Sequence, residues 1–271
     1  MLGLQQMFAE GIRMNYNDVS ELIQQFILTS PLNTVNELGE LQIYEAPLVA
    51  VAAADDELFE RLKAKEAVGP QHMLPSEWLP GAKAVIAYFL PFSERVRQAN
   101  RKQGVAATEW LYGRIEGEQL SVALRQHLLV ALQAAGCQAM APSLDQRFAV
   151  TQRRSNWSER HVAFVAGLGT FSLSRSMITQ KGSAGRFGSV IVDLPLEPTP
   201  RPYHEIDEYC TKCGACILRC PPLAITEAGK DNAVCSDYLD RVLARFRPRY
   251  GCGKCQTGVP CEHQIPVRPR G

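Results

Sequence analysis

The stretch Cys210-Thr-Lys-Cys213-Gly-Ala-Cys216-Ile-Leu-Arg-Cys220-Pro221 decides how the rest of the chain is read. Four cysteines spaced by two, two and three residues and closed by a proline form one contiguous run. Three thiolates this close together can wrap three corners of an iron–sulfur cubane, because the loop needs only short reach and exposed backbone N–H groups. The proline turn sends the fourth outward, toward a second cluster. Zinc sites instead pair two Cys-x2-Cys knuckles across a longer loop, or mix cysteine with histidine. Disulfide scaffolds are short secreted chains, whereas residues 1–14 carry Glu10 and Arg13 and show no basic start leading into an apolar run. The expectation is metal ligation in a cytoplasmic protein.

Working outward, eight of the nine cysteines lie between Cys210 and Cys261. Two cubanes need eight thiolates. Cys235, Cys252, Cys255 and Cys261 supply the second four, with Cys252-x2-Cys255 at their centre. The crossed pattern of two-cluster proteins assigns Cys210, Cys213, Cys216 and Cys261 to one [4Fe–4S] cluster, and Cys220, Cys235, Cys252 and Cys255 to the other. Cys261 follows Cys255 after five residues rather than two or three, which leaves open whether it completes the first set. Two oxidised clusters with their thiolates add about −4 in charge. Residues 241–271 hold seven basic side chains against Glu262 alone, a surplus that can offset them or face a partner. Cys137 stands apart and reads as a small core residue.

The 271 residues suffice for one large domain or two modest ones. The composition, 46% hydrophobic and 21% charged, is globular. Twenty-nine basic against twenty-eight acidic residues argue against a dedicated nucleic-acid binder. No apolar run reaches the length of a membrane span.

Upstream of the cysteines the pattern alternates strands and helices. Asn17 is placed to cap a helix carrying Val19, Leu22, Ile23 and Phe26 on one stripe. Residues 48–52, 84–89 and 187–192 read as strands, and Asp55–Asp56 open a helix bearing Leu58, Phe59 and Leu62. Leu120, Leu124, Leu128 and Leu132 place a long helix over 116–135, stopped by Gly136. Ser158 is placed to cap a helix ending at Gly167. Four prolines in 194–202 mark a boundary. The expected organisation is a mixed α/β (α+β) body over 1–200, binding a corrinoid or substrate, and a two-cluster domain over 201–271.

The cysteine run, Cys235-Ser-Asp-Tyr-Leu and Gly251-Cys-Gly-Lys-Cys255 together resemble the epoxyqueuosine reductase family and the related reductive dehalogenases. Glu159-Arg160, Ala166-Gly-Leu-Gly169, Met177-Ile-Thr179 and Asp193-Leu-Pro-Leu196 follow the same families in the same order. The weaker echoes are Pro80-Gly-Ala82 and Tyr112-Gly-Arg114, and the resemblance spans about 75–265. It implies a nitroreductase-like body that binds a corrinoid (cobalamin), followed by a bacterial ferredoxin-like domain whose clusters relay electrons to cobalt. Two departures stand out. The family's aspartate upstream of the Glu-Arg pair aligns with Arg154, which cannot release a proton at neutral pH. After Gly-Leu-Gly the family carries glycine and lysine, whereas this chain reads Thr170-Phe-Ser-Leu-Ser-Arg175.

Gly167 and Gly169 fit either a tight helix exit or close backbone approach to a planar ligand, and Ser172 stands where a dinucleotide fingerprint would place its third glycine. Arg186, before a strand, is placed to meet an anionic group. These four residues are the expected cofactor contacts. His161 is the one histidine considered as a cobalt ligand, against its reading as a satisfied helix side chain. The main expectation is an iron–sulfur oxidoreductase that takes electrons from a ferredoxin- or flavodoxin-type donor and passes them to a corrinoid or substrate on the body. The alternative is a non-catalytic carrier that binds no corrinoid. A third reading, tRNA binding, rests on the six basic residues in 151–187 and on the tail.

Overall fold

The computed structural model describes residues 14–267. Residues 1–13, and with them the reading of the N-terminus, lie outside the described residues, as do Arg268 and Arg270 of the basic tail. The first helix, α1 (Tyr16–Thr29), is capped by Asn15 rather than Asn17. Asn15 Oδ1 accepts from the Asn17 and Asp18 N–H groups, and the Asp18 carboxylate accepts from the Asn15 N–H at 2.8 Å. The box chooses the cap: Asn15 has an acid three residues on, whereas Asn17 has Ser20.

Strand β1 (Leu48–Ala53) leads to α2 (Glu57–Arg61), capped by Asp56, and then to β2 (Ala84–Pro91). After α3 (Glu94–Asn100) comes α4 (Thr108–Ala134), eight residues longer at its start than the leucine spacing indicates. Gly113 lies in that first part, and Gly117 just inside the expected helix. They are glycines because the rings of Phe92 and Tyr44 lie where their Cβ atoms would be. At the other end Gly136 (φ +77°) closes the helix as expected. Its N–H reaches the Gln133 carbonyl and that of Cys137 the Leu132 carbonyl, a Schellman stop.

Short β3 (Ala139–Met140) precedes α5 (Glu159–Val165), the hairpin β4 (Gly169–Phe171) and β5 (Met177–Thr179), and β6 (Gly185–Val192). Ser158 occupies the cap position of α5, but its hydroxyl bonds His161 Nδ1 at 2.7 Å instead of a backbone N–H. One sheet in the order β1-β2-β6-β3, antiparallel throughout, forms the centre. All eight residues of β2 are buried, because helices cover both faces. Ile86, Tyr88 and Leu90 face α1 and the leucine stripe of α4, while Val85, Ala87 and Phe89 face Trp78, Trp157 and α5. Apolar runs rather than alternation follow from covering both sides.

The proline stretch is docked rather than loose. Thr199 exchanges two hydrogen bonds with Val51 on edge strand β1, both 2.8 Å, and so covers that edge. The C-terminal segment carries the short helix α6 (Ala215–Leu218) and α7 (Asn232–Phe246). Val242 of α7 is buried in the same apolar cluster as α1 and α4, with Tyr238 and Phe246 packed against it.

Candidate iron–sulfur centre

Left-handed residues Lys212 (φ +55°) and Gly214 (φ +74°) curl the chain between Cys210 and α6, so three cysteines turn inward within seven residues. Cys210, Cys213, Cys216 and Cys261 line one recess, with no histidine or carboxylate among its walls. Cys261 arrives there because Ser183 and Ala184, just before β6, donate their N–H groups to the carbonyls of Cys261 and Glu262. The five-residue gap after Cys255 is therefore long enough for Cys261 to line the recess. Cys213 is exposed and marks the open side.

The other four lie on the inner side. Cys220 is buried, and Cys216, Cys235 and Cys255 pack with Leu173, Ile217, Ala224 and Ile225 around it. The Ala224 N–H points at Cys220 Sγ from 3.2 Å, the kind of amide contact that stabilises a thiolate. Cys235 enters from the first turn of α7, capped by Asp231. Cys252 rides on a loop that Gly251 (φ +136°) and Gly253 (φ +63°) press flat on Trp110 of α4. Cys216 and Cys255 are electrostatic neighbours across the two groups.

Burial, reinforced by the neighbouring cysteines, pushes the thiols of Cys216 and Cys252 up to about 12 and that of Cys261 up to about 11. Such thiols stay protonated at neutral pH and are poor nucleophiles, unless a metal takes the proton's place. Among the described residues no three His, Cys, Asp or Glu side chains converge on one point as the ligands of a single ion would. A cubane spreads its four thiolates over separate irons. The walls of the recess offer four sulfurs, the donor type such a cluster takes. Cys137 lies apart against the body core, with burial raising its thiol too.

The segment is clasped to the body. Lys254 is buried and donates to the Asn100 carbonyl (3.0 Å), Asn100 Oδ1 (3.1 Å) and the Lys102 carbonyl (2.7 Å) at the end of α3. Arg219 bonds the Arg101 and Lys254 carbonyls. Glu262, also buried, pairs with Arg101 at 2.8 Å. Their hydrogen bonds hold its carboxyl below the usual range against the opposing effect of burial.

The four expected cofactor contacts are engaged by the protein itself. Gly167 (φ +95°) makes the tight helix exit, its Cβ position 2.8 Å from the Pro200 carbonyl oxygen, and that of Gly169 is filled by the Ile178 carbonyl. Ser172 lines the cysteine recess and bonds Ser174 and Ser176. Arg186 pairs with Glu118 of α4. His161 is packed on Phe171, and burial, helped by Arg160, lowers it to about 3. Arg154 donates to the carbonyls of Lys65 (2.9 Å) and Val68 (2.8 Å), where it fastens a turn. The basic residues of 151–187 are largely spent the same way: Arg153 on Asp237, Arg160 on the Arg175 carbonyl, Lys181 on the Ala46 carbonyl.

Sequence reasoning missed a buried charge network behind β6. Arg125 of α4 reaches Glu118 at 3.3 Å and Glu159 at 3.7 Å. Ser189 donates to Glu159 at 2.5 Å and accepts from Trp157 Nε1 at 2.9 Å. Burial raises the Glu159 carboxyl despite Arg125. The signal was present: Ser121 and Arg125 interrupt the inward leucine stripe of α4.

No family model matches the chain. The epoxyqueuosine reductase of Bacillus subtilis (strain 168) is 27% identical over 227 residues, 76% of this chain and 56% of that protein. The epoxyqueuosine reductase of Salmonella typhimurium (strain LT2) is 38% identical over 114 residues, 38% of this chain and 29% of that protein. The chain thus spans about half the length, or less, of the curated relatives it matches. A catabolic reductive dehalogenase, solved with 3-bromo-4-hydroxybenzoic acid, superposes with a TM-score of 0.52 at 14% identity, covering 93% of this chain and 37% of that one. The resemblance read from the motifs therefore holds: the chain is similar in sequence to the epoxyqueuosine reductases and in fold to a reductive dehalogenase.

Proposed function

We propose that this chain is an iron–sulfur oxidoreductase with two [4Fe–4S] clusters, one on Cys210, Cys213, Cys216 and Cys261, the other on Cys220, Cys235, Cys252 and Cys255. The single observation that supports the reading is that Cys210, Cys213, Cys216 and Cys261 line one recess, while Cys220, Cys235 and Cys255 pack with Cys216 in one apolar cluster. When bound, such clusters supply one-electron transfer. The chain's own residues do the rest. The exposed Cys213 side admits a ferredoxin- or flavodoxin-type donor. Leu173, Ile217 and Ile225 exclude water from the inner group. Lys254, Arg219 and Glu262 hold both groups at a fixed place on the body, where the acceptor binds.

The runner-up, a carrier that binds no corrinoid, is favoured by one observation: Arg154, which the motif resemblance aligns with the family's aspartate, fastens a turn. Metal analysis of the anaerobically reconstituted chain separates these readings. About eight irons per chain are expected, falling to about four in Cys213→Ala. A colourless, zinc-only preparation that is folded and active in air would overturn the proposal. About eight irons without cobalt, even after incubation with cobalamin, would select the carrier.

A further inference from the structure

Among the four cysteines of the recess, Cys261 is the one that does not belong to the contiguous run, and it comes from beyond a long gap in the sequence. Its neighbour Glu262 is the only acid in residues 241–271, and it is buried, with 1% of its surface exposed. A carboxylate beside a thiolate of a negatively charged cluster is electrostatically unfavourable. Its place there implies a task that offsets the repulsion.

Glu262 closes the loop that carries Cys261 and ties that loop to the body. Within the loop, its N–H donates to the Val259 carbonyl at 3.0 Å, and its Oε2 accepts from the Gly258 N–H. From outside, Arg101 at the end of α3 grips both carboxylate oxygens, with Nε 3.1 Å from each and Nη2 2.8 Å from Oε1. Such a two-pronged pair fixes orientation as well as distance. Arg97, one turn earlier and also buried, stands 3.7 Å from Oε1 and reaches Glu45 on its other side at 3.0 Å. The main chain is held too. Ser183 N–H donates to the Cys261 carbonyl at 2.9 Å, and Ala184 N–H to the Glu262 carbonyl at 3.1 Å. Gly182 (φ +72°) lets the two segments meet, since the Glu262 backbone lies 2.4 Å from where its Cβ would be.

We propose that Glu262 is a positioning residue: clamped by Arg101, it holds the Cys261 sulfur in the recess as the fourth ligand of the cluster there, and so retains that cluster's fourth iron. The inference rests on the reading above that the recess takes a [4Fe–4S] cluster. Cys210, Cys213 and Cys216 are kept together by their own short run, with its left-handed turns at Lys212 and Gly214. Cys261 has no such support from sequence. Groups that orient a metal ligand without touching the metal typically change metal affinity by about 10–100-fold when removed.

The test is iron release from the anaerobically reconstituted full chain, treated with ferricyanide and an iron(II) chelator. When an oxidised [4Fe–4S] cluster loses its fourth iron, Fe2+ goes to the chelator, one electron goes to ferricyanide, and a paramagnetic three-iron cluster remains. Glu262→Gln keeps the shape, but its amide nitrogen cannot accept from Gly258 or Arg101. It is expected to release about one iron per chain roughly tenfold faster than wild type, with the electron paramagnetic resonance signal of a three-iron cluster. Arg101→Gln, which removes the clamp from outside the loop, is expected to do the same. Lys254→Met loosens the clasp without touching Glu262, and is expected to release that iron at the wild-type rate. Should Glu262→Gln take up no iron, Arg101→Gln decides: faster release of one iron supports the inference, and the wild-type rate overturns it. Wild-type rates in both variants, or an equal acceleration in Lys254→Met, overturn the inference alone. A wild-type chain that takes up no [4Fe–4S] cluster overturns it together with the proposed function.

Discussion

Lys254 sits between Cys252 and Cys255, and from sequence it reads as a counter-charge to thiolates. The fold gives it a different task. Its ammonium is turned away to bond two backbone carbonyls and one amide oxygen at the end of α3. Burial lowers its pKa, yet three acceptors of partial negative charge make the charged form the one the pocket is built for. Lys254→Met keeps the length of the side chain and leaves those acceptors without the donor. We expect it to lower unfolding free energy by about 2 kcal/mol, read as a shift in the urea midpoint of the loaded chain. An unshifted midpoint would remove the clasp from the account. Arg154 makes the same point at the other end of the body. Its identity, set against the family's acid, is legible in sequence, but its attachment to Lys65 and Val68 is not, since those residues lie more than eighty positions away.

Among the elements, α4 is the most informative. Its leucine stripe announces the C-terminal part, and the Schellman stop at Gly136 falls where glycine spacing puts it. The first two turns were not legible, because they lack the leucine repeat and contain Gly113, which weakens helix propensity by about 1 kcal/mol. Propensity alone says that Gly117→Ala should stabilise the helix. The Tyr44 ring stands where the new methyl would go, and Tyr44 is itself wedged in the core against Phe92. We expect Gly117→Ala to destabilise by about 1–3 kcal/mol in chemical denaturation, an overpacking cost that outweighs the propensity gain. A more stable variant would show that the ring can give way. The same logic separates Asn15 from Asn17 as cap of α1: residue type nominates both, and the acid three residues on selects one.

For the molecule as a whole, two histidines couple the body to pH. Burial, helped by Lys63, lowers His72 to about 4, and burial with Arg160 lowers His161 to about 3. Both ordinary values are about 6.5. The folded state therefore binds fewer protons than the unfolded one below about pH 6.5. The stability these residues contribute is present above that pH and is lost as pH falls toward 4. His72 stacks on Trp157, 5.5 Å between ring centres, so tryptophan fluorescence reports on it. We expect the unfolding free energy of the wild type to fall between pH 7 and pH 5, and His72→Phe to reduce that fall by about 1–2 kcal/mol. Parallel pH profiles for the two proteins would sink this prediction. The boundary expected near residue 200 carries a similar lesson. Prolines mark it in the sequence, yet Thr199 is tied to β1 and α7 shares the core of the body. The segments pack as neighbours rather than as beads on a linker.

The local grammar of the chain was enough to determine the thiolate run, the apolar strands, the leucine face of α4 and the caps to within two residues. Each of these depends on residues close in sequence or on a repeat whose period is set by the backbone. Tertiary structure alone decided the rest: how Cys261 lines the recess of the first group, why Gly167 and Gly169 are filled by carbonyls from distant loops, and which way Lys254 points. It also brought Arg125, Glu118, Glu159 and Ser189 from three elements into one network around the buried Arg125. The physical reason is common to all of them. A side chain's partner across the fold is chosen by packing, and packing has no period that a sequence can display.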